Sequence, residues 1–185
     1  MRIISGKARG TKLYTLEGCN TRPTLDRIKE SLFNIIQSDL NNAIILDLFS
    51  GSGALALESL SRGASKAILC DNNHDAINII KRNLEKCHFQ NEAQLFYTDY
   101  KKALKDIKEK VDIIFVDPPY EKNIAVDAVK KIIENDILKE KGLIILETDD
   151  EHREIKQLDE LTDKINIKDL RKYGRVKLIF LNRKG

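Results

Sequence analysis

From residue 43 onward the chain switches repeatedly between short apolar runs and amphipathic ones. Residues 44–49, 66–70, 93–97, 111–116 and 142–146 have the length and β-branched content of strands buried on both faces. Between them, sets such as Ala76, Ile77, Ile80 and Leu84 recur at helical spacing. Helices are predicted to about residue 62, to about 87, and over 100–109, 124–134 and 151–161. Alternation of this kind predicts a parallel sheet with helices packed on it. Two last strands, 165–167 and 176–181, are joined through Lys172-Tyr173-Gly174. That connection is too short for a crossover, so the pair must be antiparallel. The fold class is therefore α/β, with seven strands, mostly parallel, the last one antiparallel.

Upstream of the alternation the chain has a different character. Ile3, Ile4, Leu13 and Leu16 flank Gly6 and Gly10, which reads as a short β-hairpin with a Lys/Arg-rich tip. Two strands alone are marginal in water, so this hairpin must lean on the rest of the chain or on a ligand. Residues 1–22 carry Arg2, Lys7, Arg9, Lys12 and Arg22 against Glu17 alone, although the whole protein has a formal charge of only +3. Such local excess is the footprint of a nucleic-acid-binding arm. Two segments follow: a basic extension, 1–22, and a main domain, 23–185. A helix of about residues 25–38 opens the main domain, with Thr24 as N-cap and Asp26 in its first turn.

Several classes are excluded. No apolar run approaches the ~18 residues of a membrane span, and the N-terminus lacks a signal-peptide core. Cys19, Cys70 and Cys87 have no zinc or disulfide spacing, His74, His88 and His152 are scattered, and Cys87-His88 reads as a helix end. A cytoplasmic protein without a metal site is expected.

The chemistry gathers where strands end. Gly51-Ser52-Gly53-Ala54-Leu55-Ala56 follows one strand and precedes a helix, and Asp71 lies 20 residues after Gly51. Glycines there let a nucleotide approach the backbone, and the acid accepts from ribose hydroxyls, as in Rossmann-like folds. Asp47 precedes the loop and suits a cationic group better than a pyrophosphate. Asp99 ends the third strand, where it can accept from an adenine amino group. The fourth strand ends in Asp117-Pro118-Pro119-Tyr120. Prolines cannot extend a ladder, so this turn is rigid. It sets a carboxylate, a proline carbonyl and an aromatic face beyond the strand end, where ligands of open α/β sheets bind. Acceptors so placed hold a planar exocyclic amine, and the ring stacks on its base.

Residues 47–55 resemble the first motif of class I S-adenosylmethionine-dependent methyltransferases, and Asp117-Pro118-Pro119-Tyr120 resembles the motif of those that methylate amino nitrogens. Arg2-Ile3-Ile4-Ser5-Gly6, Arg9-Gly10, Arg22-Pro23-Thr24, Asp26-Arg27, Leu32-Phe33-Asn34, Leu57-Glu58 and Ser61-Arg62-Gly63-Ala64 are similar to the RsmD family. That family comprises bacterial enzymes that methylate N2 of a guanine in 16S ribosomal RNA. The resemblance implies S-adenosylmethionine as cofactor, held by Asp47, Phe49, Ser50, Gly51, Ser52, Gly53, Asp71, Asn72, Asp99 and Tyr100. Asp117, Pro118, Pro119 and Tyr120 would be catalytic, and Arg2, Lys7, Arg9, Lys12 and Arg22 would bind RNA. The substrate would be 16S ribosomal RNA, within the small subunit or an assembly intermediate. The family more often has Glu where this chain has Asp71. An adenine-N6 or cytosine-N4 methyltransferase, an NAD-dependent oxidoreductase and a catalytically silent RNA-binding module stand as alternatives.

Overall fold

The structure is a computed structural model that describes residues 1–16, 23–119 and 124–184. Arg22, Cys19 and Tyr120 lie outside the described residues. Seven strands form one sheet, and two compact units, Met1–Asp99 and Tyr100–Gly185, divide the chain.

The first unit holds strands β1 (Ile44–Asp47), β2 (Lys66–Asp71) and β3 (Ala93–Tyr97), with helices α1 (Pro23–Ile35), α2 (Ala54–Ser61) and α3 (His74–Cys87). β1 pairs in parallel with β2 (Leu46 opposite Ile68), and β2 pairs in parallel with β3 (Leu69 opposite Leu95). The apolar runs of β1 and β2 are buried almost throughout, as strands covered on both faces require. Asn73 caps α3 by accepting from the N–H groups of Asp75 and Ala76. His88 closes that helix at φ +59°, so Cys87-His88 is a helix end.

The second unit holds helices α4 (Tyr100–Asp106), α5 (Ile124–Glu134) and α6 (Glu151–Leu158). Its strands are β4 (Val111–Val116), β5 (Leu138–Thr148), β6 (Ile165–Tyr173) and β7 (Val176–Arg183). β4 and β5 are parallel, while β5–β7 and β7–β6 are antiparallel. The full strand order is β3-β2-β1-β4-β5-β7-β6. The predicted fold class is therefore the observed one.

Some boundaries are corrected. α1 starts at Pro23, so Thr24 lies inside its first turn and does not cap it. The same helix stops at Ile35, and a single 3-10 turn, Gln37–Asp39, takes over the periodicity expected to reach 38. α4 ends three residues short of 109, at Asp106, and α6 gives way to a 3-10 turn at Asp159–Leu161. β5 begins at Leu138, not 142, because the ladder pairs Val111 with Leu138 and then skips to Ile113 with Leu143. The bulge turns Glu140 and Lys141 to solvent, and their charges hide the strand. β6 is three times its expected length. As an edge strand with mostly exposed residues it shows little apolar pattern. The turn between β6 and β7 is Gly174-Arg175, with Tyr173 opposite Val176 and Gly174 at φ +65°.

The basic N-terminal segment is a two-strand ribbon closed by the antiparallel bridge Arg2–Lys12. The Ile3 N–H donates to the Thr11 carbonyl (3.0 Å), and the Leu13 N–H donates to the Met1 carbonyl (3.0 Å). Ile3 and Leu13 are buried beneath it. It leans on α2. Ile4 and Ser5 donate their N–H groups to Glu58 (2.8 and 3.0 Å), and Ala8 donates to Ser61 Oγ (2.9 Å). At Gly6, φ +84°, a Cβ would stand 1.8 Å from the Ser61 carbonyl oxygen, so only glycine permits this approach.

Candidate active site

The glycine loop after β1 is pinned residue by residue. Ser50 donates its N–H to the Cys70 carbonyl (2.9 Å), and its Oγ accepts from the Cys70 N–H (3.0 Å). Gly51 donates its N–H to Asp71 Oδ2 (2.8 Å). Among the described residues nothing lies within 4 Å of where a Cβ on Gly51 (φ +54°) would project, so they leave the surface above the loop open. Gly53 (φ +77°) caps α2 without any side-chain hydrogen bond, which leaves a helix N-terminus suited to a negative group. Phe49 and Ser52 are half-buried on either side of these pins, and Asn72 is exposed beside Asp71.

Three of the expected acids converge here. Burial and the fields of Asp71, Asp47 and Asp99 together push the Cys70 thiol up to about 12. Each Asp71 oxygen takes one backbone N–H, Oδ2 from Gly51 and Oδ1 from Asn73, both at 2.8 Å. A carboxylate has about four acceptor sites, so capacity remains for two hydroxyls. Asp99 is exposed, just past the end of β3.

Asp47 differs from the other two. It is 2% exposed, and among the described residues its Oδ2 has no hydrogen-bond partner. Desolvation raises its pKa to about 7, with Asp71 adding to the rise and the N–H groups of Ala56 and Phe49 opposing it. A native pKa above the unfolded value means that the native state binds more protons across that interval. Stability from this group is thus present at low pH and lost as pH rises from about 4 to about 7. Asp47→Asn should therefore stabilise the protein at pH 8, by as much as about 4 kcal/mol, with little effect at pH 4. Thermal melts at the two pH values check this.

In the second unit, β4 is buried along most of its length and delivers Asp117, half-buried, then Pro118, buried, and Pro119, exposed. Phe115 and Val116 fix the strand in the core, with Val116 opposite Leu146 of β5. The Tyr100 hydroxyl donates to Asp127 of α5.

Of the expected RNA-binding residues, Arg2 and Arg9 line a cleft of about 440 Å³ between the ribbon and α1. Arg27, Asp26 and Glu30 complete its walls. Arg2 is 4.0 Å from Asp26, but among the described residues Arg9 and Arg27 have no ion-pair partner. Lys7 is exposed at the ribbon's tip. Arg27 was missed because it sits outside the basic cluster in sequence. Also missed was Glu58, fully buried between Lys29 Nζ (3.2 Å) and Arg62 Nε (2.8 Å). Burial lowers the Lys29 pKa against the pull of Glu58. Among the described residues no group of three or more metal-ligating side chains occurs, and no helix is long and apolar enough to cross a membrane.

The sheet order and the acids clustered around a glycine loop define a methyltransferase of the Rossmann-like type. The family described as "Conserved hypothetical protein 95" matches residues 1–182, and the chain belongs to it, the RsmD family of the motifs above. The "Putative rRNA methyltransferase YlbH" of Bacillus subtilis is 38% identical over 154 residues, covering 82% of this chain and 84% of its own. The "Ribosomal RNA small subunit methyltransferase D" of Haemophilus influenzae is 37% identical over 153 residues, covering 80% and 79%. Among solved structures, a "Putative methyltransferase yhhF" from Escherichia coli superposes with a TM-score of 0.87 at 30% identity, covering 100% of this chain and 98% of that one.

Proposed function

We propose that this protein transfers a methyl group from S-adenosylmethionine to the exocyclic N2 of a guanine in 16S ribosomal RNA, in the cytoplasm, on the small subunit or an assembly intermediate. The observation that carries this reading is Asp117-Pro118-Pro119 at the end of a buried strand. It gains support from relatives named as ribosomal RNA methyltransferases. Residues 1–22 serve as the basic RNA-binding extension, and 23–185 as the methyltransferase domain.

S-adenosylmethionine, when bound, supplies a methyl group already activated on a sulfonium. The chain's residues fit it. The unpartnered oxygen of Asp47 suits the cationic amino-acid end, and the uncapped start of α2 suits a carboxylate. Asp71 retains capacity for the ribose hydroxyls, and Asp99 accepts from the adenine amine. Phe49, Ser50, Ser52, Asn72 and Tyr100 frame these contacts.

On the substrate side, Asp117 and the Pro118 carbonyl accept from the amine's N–H bonds and aim its nitrogen. Guanine offers donors at both N1 and N2, which suits an acceptor-only carboxylate. Tyr120 stacks on the base, which must be splayed out of any helix to reach it. Arg2, Arg9 and Arg27 hold phosphates along the cleft, aided by Lys7, Lys12 and Arg22.

Asp71→Ala should weaken S-adenosylmethionine binding by roughly ten- to a hundredfold, the value of hydrogen bonds to a charged group. Calorimetry reads it, and unchanged affinity would remove Asp71 from the ribose. For the activity as a whole, tritium from labelled S-adenosylmethionine should enter the RNA of unmethylated small subunits. No incorporation under any subunit preparation would overturn the proposal, and heat of binding with NAD instead would replace it with redox chemistry.

A further inference from the structure

Asn83 sits in α3 with no exposed surface. A buried amide is costly unless its donors and acceptor are met. Oδ1 of Asn83 accepts from the Tyr14 N–H (2.8 Å), and Nδ2 donates to the Tyr14 carbonyl (2.9 Å). The same Nδ2 donates to the carbonyl of Ser52 in the glycine loop (2.9 Å). The loop's other ties, from Ser50 and Gly51, run to the ends of β1 and β2. Among the described residues, Ser52 alone is tied through a side chain that also grips the basic ribbon. The Tyr14 ring is clamped further by α3, with the Arg82 guanidinium 4.0 Å and the Lys86 ammonium 4.4 Å from its centroid.

We propose that Asn83 is a positioning residue that couples the N-terminal ribbon to the cofactor loop. One rigid, planar amide serves both partners, so a shift of Tyr14 draws Nδ2 away from Ser52. Whatever orders the ribbon orders the loop, and linkage makes the effect reciprocal: RNA on the ribbon tightens the cofactor by the factor with which the cofactor tightens RNA. The RNA half of this inference rests on the proposed function; the link between ribbon and loop does not.

Two variants test it. Tyr14→Pro removes the backbone N–H that Asn83 Oδ1 accepts, together with the clamped ring, and leaves Asn83 and the loop sequence intact. Asn83→Asp keeps size and the acceptor but loses both donated bonds and faces two carbonyls with a carboxylate. Calorimetry with S-adenosylhomocysteine, without RNA, should show affinity reduced roughly three- to tenfold for Tyr14→Pro. For Asn83→Asp the loss should be about tenfold or more. At saturating cofactor, kcat should stay within about threefold, so that KM carries the defect. If Asn83→Asp fails to fold, Tyr14→Pro decides. Wild-type affinity in folded Tyr14→Pro would overturn the link. Repeating the titration on small subunits should tighten cofactor binding in the wild type, and Tyr14→Pro should reduce that tightening. No tightening in a wild type that methylates RNA would overturn the coupling. A wild type that binds no RNA would overturn the proposed function and leave the test without RNA standing.

Discussion

Replacing Asp117 with alanine should lower turnover by about 10²–10³-fold, the usual effect of removing one group aimed at charge that develops in a transition state. The residue leaves a strand locked in the core, so its carboxylate is held by packing and by the two prolines after it. That rigidity is what lets an acceptor align a weakly nucleophilic amine, and positioning alone accounts for several kcal/mol of barrier. Cofactor affinity should barely move, because the proposed cofactor ligands Asp47, Gly51, Asp71 and Asp99 belong to other strands. Single-turnover kinetics beside calorimetry separate the two effects. Three residues on in sequence, Tyr120→Phe should be mild and Tyr120→Ala severe if, as proposed, the ring face stacks on the base. Equal damage from both would give the hydroxyl a part in the chemistry.

Replacing Glu58 with alanine should cost about 3–5 kcal/mol of stability, as expected when one member of a buried ion pair is removed. Two buried cations, Lys29 and Arg62, would lose their counter-charge, and the N–H groups of Ile4 and Ser5 would lose their acceptor. For a chain of this length the melting temperature should fall by roughly 10 °C. Hydrogen exchange should show the loss first at Ile4 and Ser5, since the ribbon is anchored there. A melting temperature within a degree or two of wild type would mean that the ribbon's apolar contacts and its bonds to Ser61 and Asn83 hold it without Glu58.

Much of this was legible because period and chemistry agreed. α5 begins and ends where its apolar repeat does, and the glycine loop and strand-end acids fall where an α/β sheet must place them. What escaped was non-local. Glu58 and Asn83 are polar residues in helices, and the ribbon N–H groups that they accept lie 53 to 69 positions away. A signal existed even so. Asn83 lies on the stripe of Ile80, Leu84 and Cys87, and Glu58 lies in a helix with seven of eight residues buried. A polar side chain on an apolar face must find partners, but spacing cannot say which. The later part of β6 and the start of β5 escaped for another reason: an edge strand and a bulge need little apolar sequence.

The central claim concerns which atom receives the methyl group. Small subunits lacking the modification, incubated with this protein and tritiated S-adenosylmethionine, should yield label that co-migrates with N2-methylguanosine after digestion of the 16S RNA to nucleosides. Label in N6-methyladenosine or N4-methylcytidine would contradict the account, because the acceptor proposed at Asp117 would then have received a different amine.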